Sequence, residues 1–71
     1  MNAEDFASKI PENLSAIRKQ QRYTQKEVAK MAGLNPNYYA KVERGDGIPS
    51  LKTLHKIAKV LKVSITDIVG Y

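Results

Sequence analysis

Apolar residues recur along most of this chain at the spacing of an α-helix. Ile10, Leu14 and Ile17 fall on one helical face, at intervals of four and three residues. The same stripe is clearest in residues 51–61, and no segment alternates like a strand for more than a few residues. The pattern therefore predicts an all-α protein.

Helix start and stop signals divide the chain into five helices. The first is predicted to begin at Pro11, because proline has no N–H to leave unbonded at a first helical position, and to end near Gln21. Residues 1–10 are an N-terminal extension that adds at most a preceding turn, since Pro11 would kink or break the join.

The other four helices have capping side chains at their starts, which in chain order are Thr24, Asn35, Ser50 and Ser64. Gly33 ends the second helix and Gly45 the third, because glycine readily takes the left-handed conformation that a helix end needs. Only about three residues separate the second and third helices. This spacing is typical of a helix-turn-helix in residues 25–44, within a single domain over residues 1–71.

Composition excludes several kinds of chemistry. The 71 residues include no cysteine and one histidine, so disulfides, thiolate zinc sites and histidine metal clusters are excluded, and we expect no cofactor. The sequence contains no nucleophile–base set and no phosphate loop, and we therefore expect that the protein is not an enzyme. No apolar run could span a membrane, and the acidic start is unlike a signal peptide. These features predict a cytoplasmic location with no membrane contact.

The formal charge is +5, and it is concentrated in the centre of the chain. Residues 13–62 carry a net +8, while residues 1–12 carry −2 and residues 63–71 carry −1. Such a basic centre favours contact with a polyanion. A solvated lysine-rich surface is the alternative, and charge alone does not choose between the two readings.

The segments TQKEVAKMAG, YYAKVERG and PSLKTLHKIAKVLKVSITDI occur in that order between Thr24 and Ile68. Together they resemble the helix-turn-helix family of the Cro and phage-repressor type, also called the XRE family. The resemblance covers roughly residues 11–69. It implies a five-helix fold, sequence-specific binding of a double-stranded DNA operator, regulation of transcription, and assembly as a two-fold homodimer.

The resemblance makes the third helix the recognition helix, which would enter the major groove of DNA. Tyr39 and Val42 must face the core. The outward residues, which we expect to contact bases, are Pro36, Asn37, Tyr38 and Lys41. Asn37 can pair bidentately with adenine and Lys41 can reach guanine, whereas Pro36 has no donor and so weakens direct readout.

The resemblance also implies a set of phosphate contacts, from Thr24, Gln25, Asn35, Arg44 and Lys52. It pairs Arg18 of the first helix with Glu43, which we interpret as a structural ion pair that ties the first helix to the recognition helix. The apolar C-terminal residues exceed what a small core needs, so part of this set could form the two-fold interface: Val63, Ile65, Ile68, Val69 and Tyr71.

A second hypothesis is a protein-interaction module, or an antitoxin-like partner, that uses the same fold without specific DNA readout. Pro36 and Ala40 on the third helix support it, whereas the basic centre of the chain argues against it. Within the DNA-binding hypothesis, the sequence does not separate a phage repressor, a restriction–modification controller and an antitoxin-like autoregulator.

Overall fold

The computed structural model describes the backbone of residues 3–70 and the side chains of residues 9–70. This part of the chain forms five helices and no strand, which confirms the all-α prediction. The helices are α1 (Ala3–Gln20), α2 (Gln25–Met31), α3 (Pro36–Arg44), α4 (Leu51–Leu61) and α5 (Ile65–Val69).

The predicted start of α1 is wrong. The helix begins at Ala3 and continues through Pro11, so residues 3–10 of the predicted extension are helical and continuous with the rest of α1. Proline removes one backbone hydrogen bond, to the carbonyl of Ala7, but its fixed φ is itself helical, so a helix with proline inside it can continue. The Pro11 ring lies against the end of α3, where its Cγ is 3.4 Å from the position that a Cβ at Gly45 would occupy.

The predicted caps are confirmed at all four later helices. Thr24 and Glu27 form the reciprocal capping box of α2, and Ser64 and Asp67 form that of α5. The other two caps are Asn35 of α3 and Ser50 of α4, each of which accepts from backbone N–H groups of its first turn. Local hydrogen bonding therefore fixes where each of these helices begins.

The turn between α2 and α3 is fixed by a pair of backbone hydrogen bonds. Gly33 N donates to the Lys30 carbonyl at 3.1 Å, and Leu34 N donates to the Ala29 carbonyl at 2.8 Å. This Schellman arrangement needs a left-handed residue, and Gly33 supplies it with a φ of 70°. The turn sets the direction in which α3 leaves α2.

The core lies where all five helices meet. α1 packs against α3 and α5, α2 packs against α3 and α4, and α4 packs against α5. The least exposed large side chains are Ile10, Leu14, Val28, Tyr39, Ile57, Leu61 and Ile68. Asn13 Nδ2 also donates to the Ile68 carbonyl at 2.9 Å, which ties α5 to α1. Among the described helices, none has the length and apolar character to cross a bilayer.

Candidate nucleic-acid interface

The outer face of α3 carries the four side chains predicted to contact bases. Pro36, Asn37, Tyr38 and Lys41 are all exposed. Tyr39 and Val42 are buried, so the predicted division between the inner and outer faces of α3 is confirmed. The contacts of the outer residues with bases stay a prediction.

Asn35 is occupied in capping α3. Its Oδ1 accepts from Asn37 N at 2.8 Å and from Tyr38 N at 3.4 Å. The cap uses only the oxygen of the amide, so the two Nδ2 protons remain outside it. Asn35 can therefore hold the start of α3 and still offer a donor to a phosphate.

Thr24 and Gln25 lie at the start of α2. Thr24 Oγ1 accepts from Glu27 N at 3.0 Å, and Glu27 Oε1 accepts from Thr24 N at 2.8 Å. Gln25 follows as the first residue of the helix, and its Nε2 donates to Glu43 Oε1 at 3.0 Å. Nothing in the sequence pattern predicts this last contact, which links α2 to the last turn of α3.

Arg18 and Glu43 form the predicted ion pair, and its geometry is bidentate. Arg18 Nε donates to Glu43 Oε2 at 2.7 Å, and Arg18 Nη2 donates to Glu43 Oε1 at 2.9 Å. Arg18 Nη1 donates to the Tyr23 carbonyl at 2.9 Å. The Arg18 side chain is 11% exposed and that of Glu43 is 4% exposed, so the pair is largely shielded from water. It joins α1, the α1–α2 turn and α3.

The ion pair shifts the titration of both partners. The hydrogen bonds to Glu43 raise the pKa of Arg18 against the opposing effect of burial. Burial by itself would raise the pKa of Glu43, but hydrogen bonds, chiefly from Arg18, outweigh it and hold that pKa below its ordinary value. Both residues are therefore charged at neutral pH.

Tyr39 lies beside this ion pair with its ring fully buried. Its hydroxyl oxygen is also buried, and no partner among the described residues completes a well-formed hydrogen bond with it. Burial raises the pKa of Tyr39 far above its usual range, and the nearby Glu43 carboxylate adds to the shift. The hydroxyl thus stays protonated next to a fixed negative charge.

Arg44 and Lys52 flank the loop that joins α3 to α4. Arg44 Nε donates to Asp46 Oδ2 at 3.2 Å, and both side chains are more than half exposed. Asp46 therefore competes with any phosphate for Arg44. Lys52 is exposed in the first turn of α4. Both basic side chains can reach solvent on either side of the loop.

The structure contains a cleft between α3 and this loop that the sequence pattern does not predict. It is lined by Tyr38, Lys41 and Val42 on one side and by the loop segment 46–49 on the other. Ile48, at the rim, is 58% exposed. One feature of the sequence points to this cleft: Ile48 is an apolar residue between Gly47 and Pro49, in a loop where polar residues are expected.

Two of the residues predicted for a two-fold interface are buried within this protomer. Ile68 and Val69 are 0% and 7% exposed and belong to the core of this protomer, because α5 packs against α1. They are therefore not available to a second chain, and the expectation is corrected for these two. Val63 and Ile65 are partly buried and keep some accessible surface. Tyr71 lies outside the described residues.

Two repressors are among the relatives of this chain. The immunity repressor protein of Bacillus phage phi105 is 38% identical over 61 residues, which are 86% of this chain and 42% of that protein. The cryptic phage CTXphi transcriptional repressor RstR of Vibrio cholerae serotype O1 is 39% identical over 62 residues, 87% of this chain and 55% of that protein. The chain thus spans about half the length of these curated relatives.

Two other matches cover most of this chain and most of the matched protein. The uncharacterized HTH-type transcriptional regulator YazB of Bacillus subtilis is 32% identical over 68 residues, 96% of this chain and 93% of that protein. The crystal structure of the restriction-modification controller protein C.AhdI from Aeromonas hydrophila superposes with a TM-score of 0.83 at 27% identity. That alignment covers 94% of this chain and 98% of the other.

The Helix-turn-helix family model matches residues 14–68, a span that begins inside α1 and ends inside α5. This span includes the capped α2, the glycine turn and the exposed face of α3. With this match and the relatives above, the chain belongs to the helix-turn-helix family of the Cro and phage-repressor type, a family of DNA-binding transcriptional regulators.

Proposed function

We propose that the protein is a transcriptional repressor that binds a specific double-stranded DNA operator as a two-fold dimer, with α3 in the major groove. The observation that carries the proposal is the outer face of α3. It exposes hydrogen-bonding side chains in successive turns, while its inner face is locked into the core by Tyr39 and Val42. A rigid helix that presents polar groups suits the width of the major groove.

Base reading is assigned to three side chains of α3. Asn37 would pair with an adenine edge through its amide, and Lys41, one turn further, would donate to guanine. Tyr38 would place its ring against a thymine methyl group or its hydroxyl on a phosphate. Pro36 has no donor and would contribute only apolar contact. Readout at the start of α3 is therefore expected to be weaker than readout one turn later.

Phosphate contacts are assigned to side chains around α3, which are Thr24, Gln25, Asn35, Arg44 and Lys52. These groups either lie at the starts of helices, where backbone N–H groups favour anions, or carry a positive charge. They would set the affinity for all DNA sequences alike. Only the two charged members would release counterions and contribute to the salt dependence of binding.

Dimerisation is assigned to the turn between α4 and α5, where Val63 and Ile65 keep accessible apolar surface. Two copies related by a two-fold axis would place their recognition helices about 34 Å apart, which is one turn of DNA. Sedimentation of the free protein and of the DNA complex would measure the stoichiometry directly.

The test is selection of bound duplexes from a random pool at low and at high salt. We expect enrichment of a site made of two inverted halves about one helical turn apart. Binding that disappears as salt rises, with no sequence enriched at any concentration, would refute specific operator binding. Salt-insensitive binding to a protein in place of DNA would instead favour the interaction-module hypothesis.

Variants separate the two kinds of contact on the selected site. Asn37→Ala and Lys41→Ala should relax the preference at one or two base pairs, at a cost of about 1–3 kcal/mol each. Gln25→Ala should weaken binding to all sequences nearly alike. Lys9→Ala, an exposed lysine on α1, is the control for loss of one positive charge. Unchanged selectivity in both α3 variants would show that the recognition face lies elsewhere.

A further inference from the structure

The Glu43 carboxylate is shared between two donors from different helices. Its Oε1 accepts from Arg18 Nη2 at 2.9 Å and from Gln25 Nε2 at 3.0 Å. Its Oε2 accepts from Arg18 Nε at 2.7 Å. An ion pair that only fastened α1 to α3 would not need the contact with Gln25. The additional hydrogen bond brings the start of α2 into the same unit.

This contact fixes the orientation of the Gln25 amide. A primary amide carries two N–H donors that diverge from one nitrogen, and Glu43 occupies one of them. The Glu43 side chain is 4% exposed, whereas Gln25 is only partly buried. Glu43 lies in the protein interior and accepts one N–H of the Gln25 amide. The second N–H of that amide is therefore directed away from Glu43. The outer side of Gln25 is where the proposed function places a phosphate.

We propose that Glu43 is a positioning residue for DNA binding, which holds the Gln25 amide so that its free N–H meets a phosphate oxygen. This inference rests on the proposed function. Glutamine loses more side-chain freedom than most residues when it is ordered, and a hydrogen bond already made in the free protein removes part of that cost from binding.

Charge explains why Arg18 belongs to the same unit. A carboxylate close to the DNA backbone would repel a phosphate if it stood alone. The bidentate contact with Arg18 neutralises Glu43 and leaves Gln25 as the group that faces outward. With Arg18 beside it, Glu43 can thus orient the phosphate-binding amide of Gln25 without repelling the phosphate.

The experiment is a double-mutant cycle on the selected operator, with Gln25→Ala, Glu43→Met and the combined variant, each measured where circular dichroism shows a folded protein. Methionine keeps the length of the glutamate side chain but has no oxygen that could accept from Gln25. We expect each single variant to lose affinity by about tenfold, and the combined variant to lose no more than one of them. Base preference and the slope of affinity against salt should not change, because a neutral amide releases no counterion.

Glu27→Gln is the matched control, because Glu27 is two residues from Gln25 and the change in charge is the same. Its amide oxygen can still accept from Thr24 N, so we expect affinity equal to or above that of the parent. A scan of single methylphosphonate substitutions adds a local readout. One phosphate whose neutralisation weakens binding by the parent should have no effect on binding by either Gln25→Ala or Glu43→Met.

Two results would overturn the positioning role while leaving operator binding intact. One is additive losses in the cycle. The other is a Glu43→Met profile that keeps sensitivity at the phosphate whose effect is lost in Gln25→Ala. Failure of the parent to select any operator would instead refute the proposed function itself. The two failures are therefore distinguishable.

A second measurement uses the unaltered protein, in case Glu43→Met does not fold. The side-chain amide signals of Gln25 are followed by NMR through the acid range, with Glu27→Gln run in parallel as the control for the neighbouring carboxylate. Arg18 and Tyr39 keep their protons throughout. We expect the Gln25 signals to move with the titration of Glu43. Signals that stay still through that titration would refute the contact and the proposal.

Discussion

Removal of the Glu43 carboxylate should strongly destabilise the fold, because it leaves a largely buried arginine without its opposing charge. In Glu43→Ala, Arg18 loses two charge-assisted hydrogen bonds, of 2.7 and 2.9 Å, and keeps only the Tyr23 carbonyl. Its guanidinium remains at 11% exposure with no opposing charge. Breaking a buried pair in this way costs about 3–5 kcal/mol of the free energy of unfolding. Because Arg18 is still partly exposed, the expected loss is about 3 kcal/mol.

That loss is large for a domain of this size. At about 0.05–0.15 kcal/mol per residue, the whole free energy of unfolding is roughly 4–11 kcal/mol. We therefore expect the urea midpoint to fall by about 2–3 M, and Tm to fall by about 12–24 °C. The assay is urea unfolding followed by circular dichroism. Glu12→Ala, which removes an exposed acid from α1, is the control and should change stability by less than about 0.5 kcal/mol.

The difference between parent and Glu43→Ala should also depend on pH with a defined sign. The folded protein holds the pKa of Glu43 below the ordinary value of 4.5 that applies to the unfolded chain. Unfolding therefore takes up a proton in acid, so the stabilisation is complete above about pH 4.5 and is lost as pH falls through the lower, folded pKa. A loss below 1 kcal/mol at pH 7, or a difference that grows in acid, would refute the reasoning.

For three further substitutions, the direction of the effect on stability or on DNA affinity follows from the structure. Tyr39→Phe removes a buried hydroxyl that has no described partner, so urea unfolding should show unchanged stability or a gain of about 1 kcal/mol. Lys62→Gly should gain about 0.5–1 kcal/mol in the same assay, because Lys62 ends α4 with a left-handed φ of 57°. Asp46→Asn frees Arg44 from an exposed ion pair of at most about 1 kcal/mol, so operator affinity at low salt should rise by up to about fivefold.

Each of these expectations has an outcome that contradicts it. A loss above 1 kcal/mol in Tyr39→Phe would mean that the hydroxyl does bond to Glu43. Equal losses in Lys62→Gly and in Lys59→Gly, a control inside α4, would mean that strain at the helix end is negligible. Weaker binding by Asp46→Asn, measured by fluorescence anisotropy, would mean that the Asp46 carboxylate itself contacts the DNA.

Local signals predicted most of the helix boundaries. Thr24, Asn35 and Ser64 cap helices through hydrogen bonds that reach no further than three residues, so a short stretch of sequence contains the whole interaction. The start of α1 was not predictable in the same way. The stereochemistry of Pro11 alone predicts a boundary there, whereas the helix continues on both sides of it.

Contacts between distant residues account for the rest. The link from Gln25 to Glu43 spans 18 positions and was not visible in either segment alone. Ile68 and Val69 are candidates for a partner surface on their apolar character, but that character does not say which apolar surface they meet. The structure assigns them to α1, which lies at the opposite end of the sequence.

The bond from Asn13 to the Ile68 carbonyl joins residues 55 positions apart, and this has a consequence for synthesis of the protein. While the chain grows from its N-terminus, Ile10 and Leu14 have no α5 to cover them. At about 5–20 residues per second, translation leaves these side chains waiting on the order of seconds for their partners. The cooperative unit is complete only after α5 leaves the ribosome, so stalled or shortened chains should expose this apolar face to chaperones and proteases.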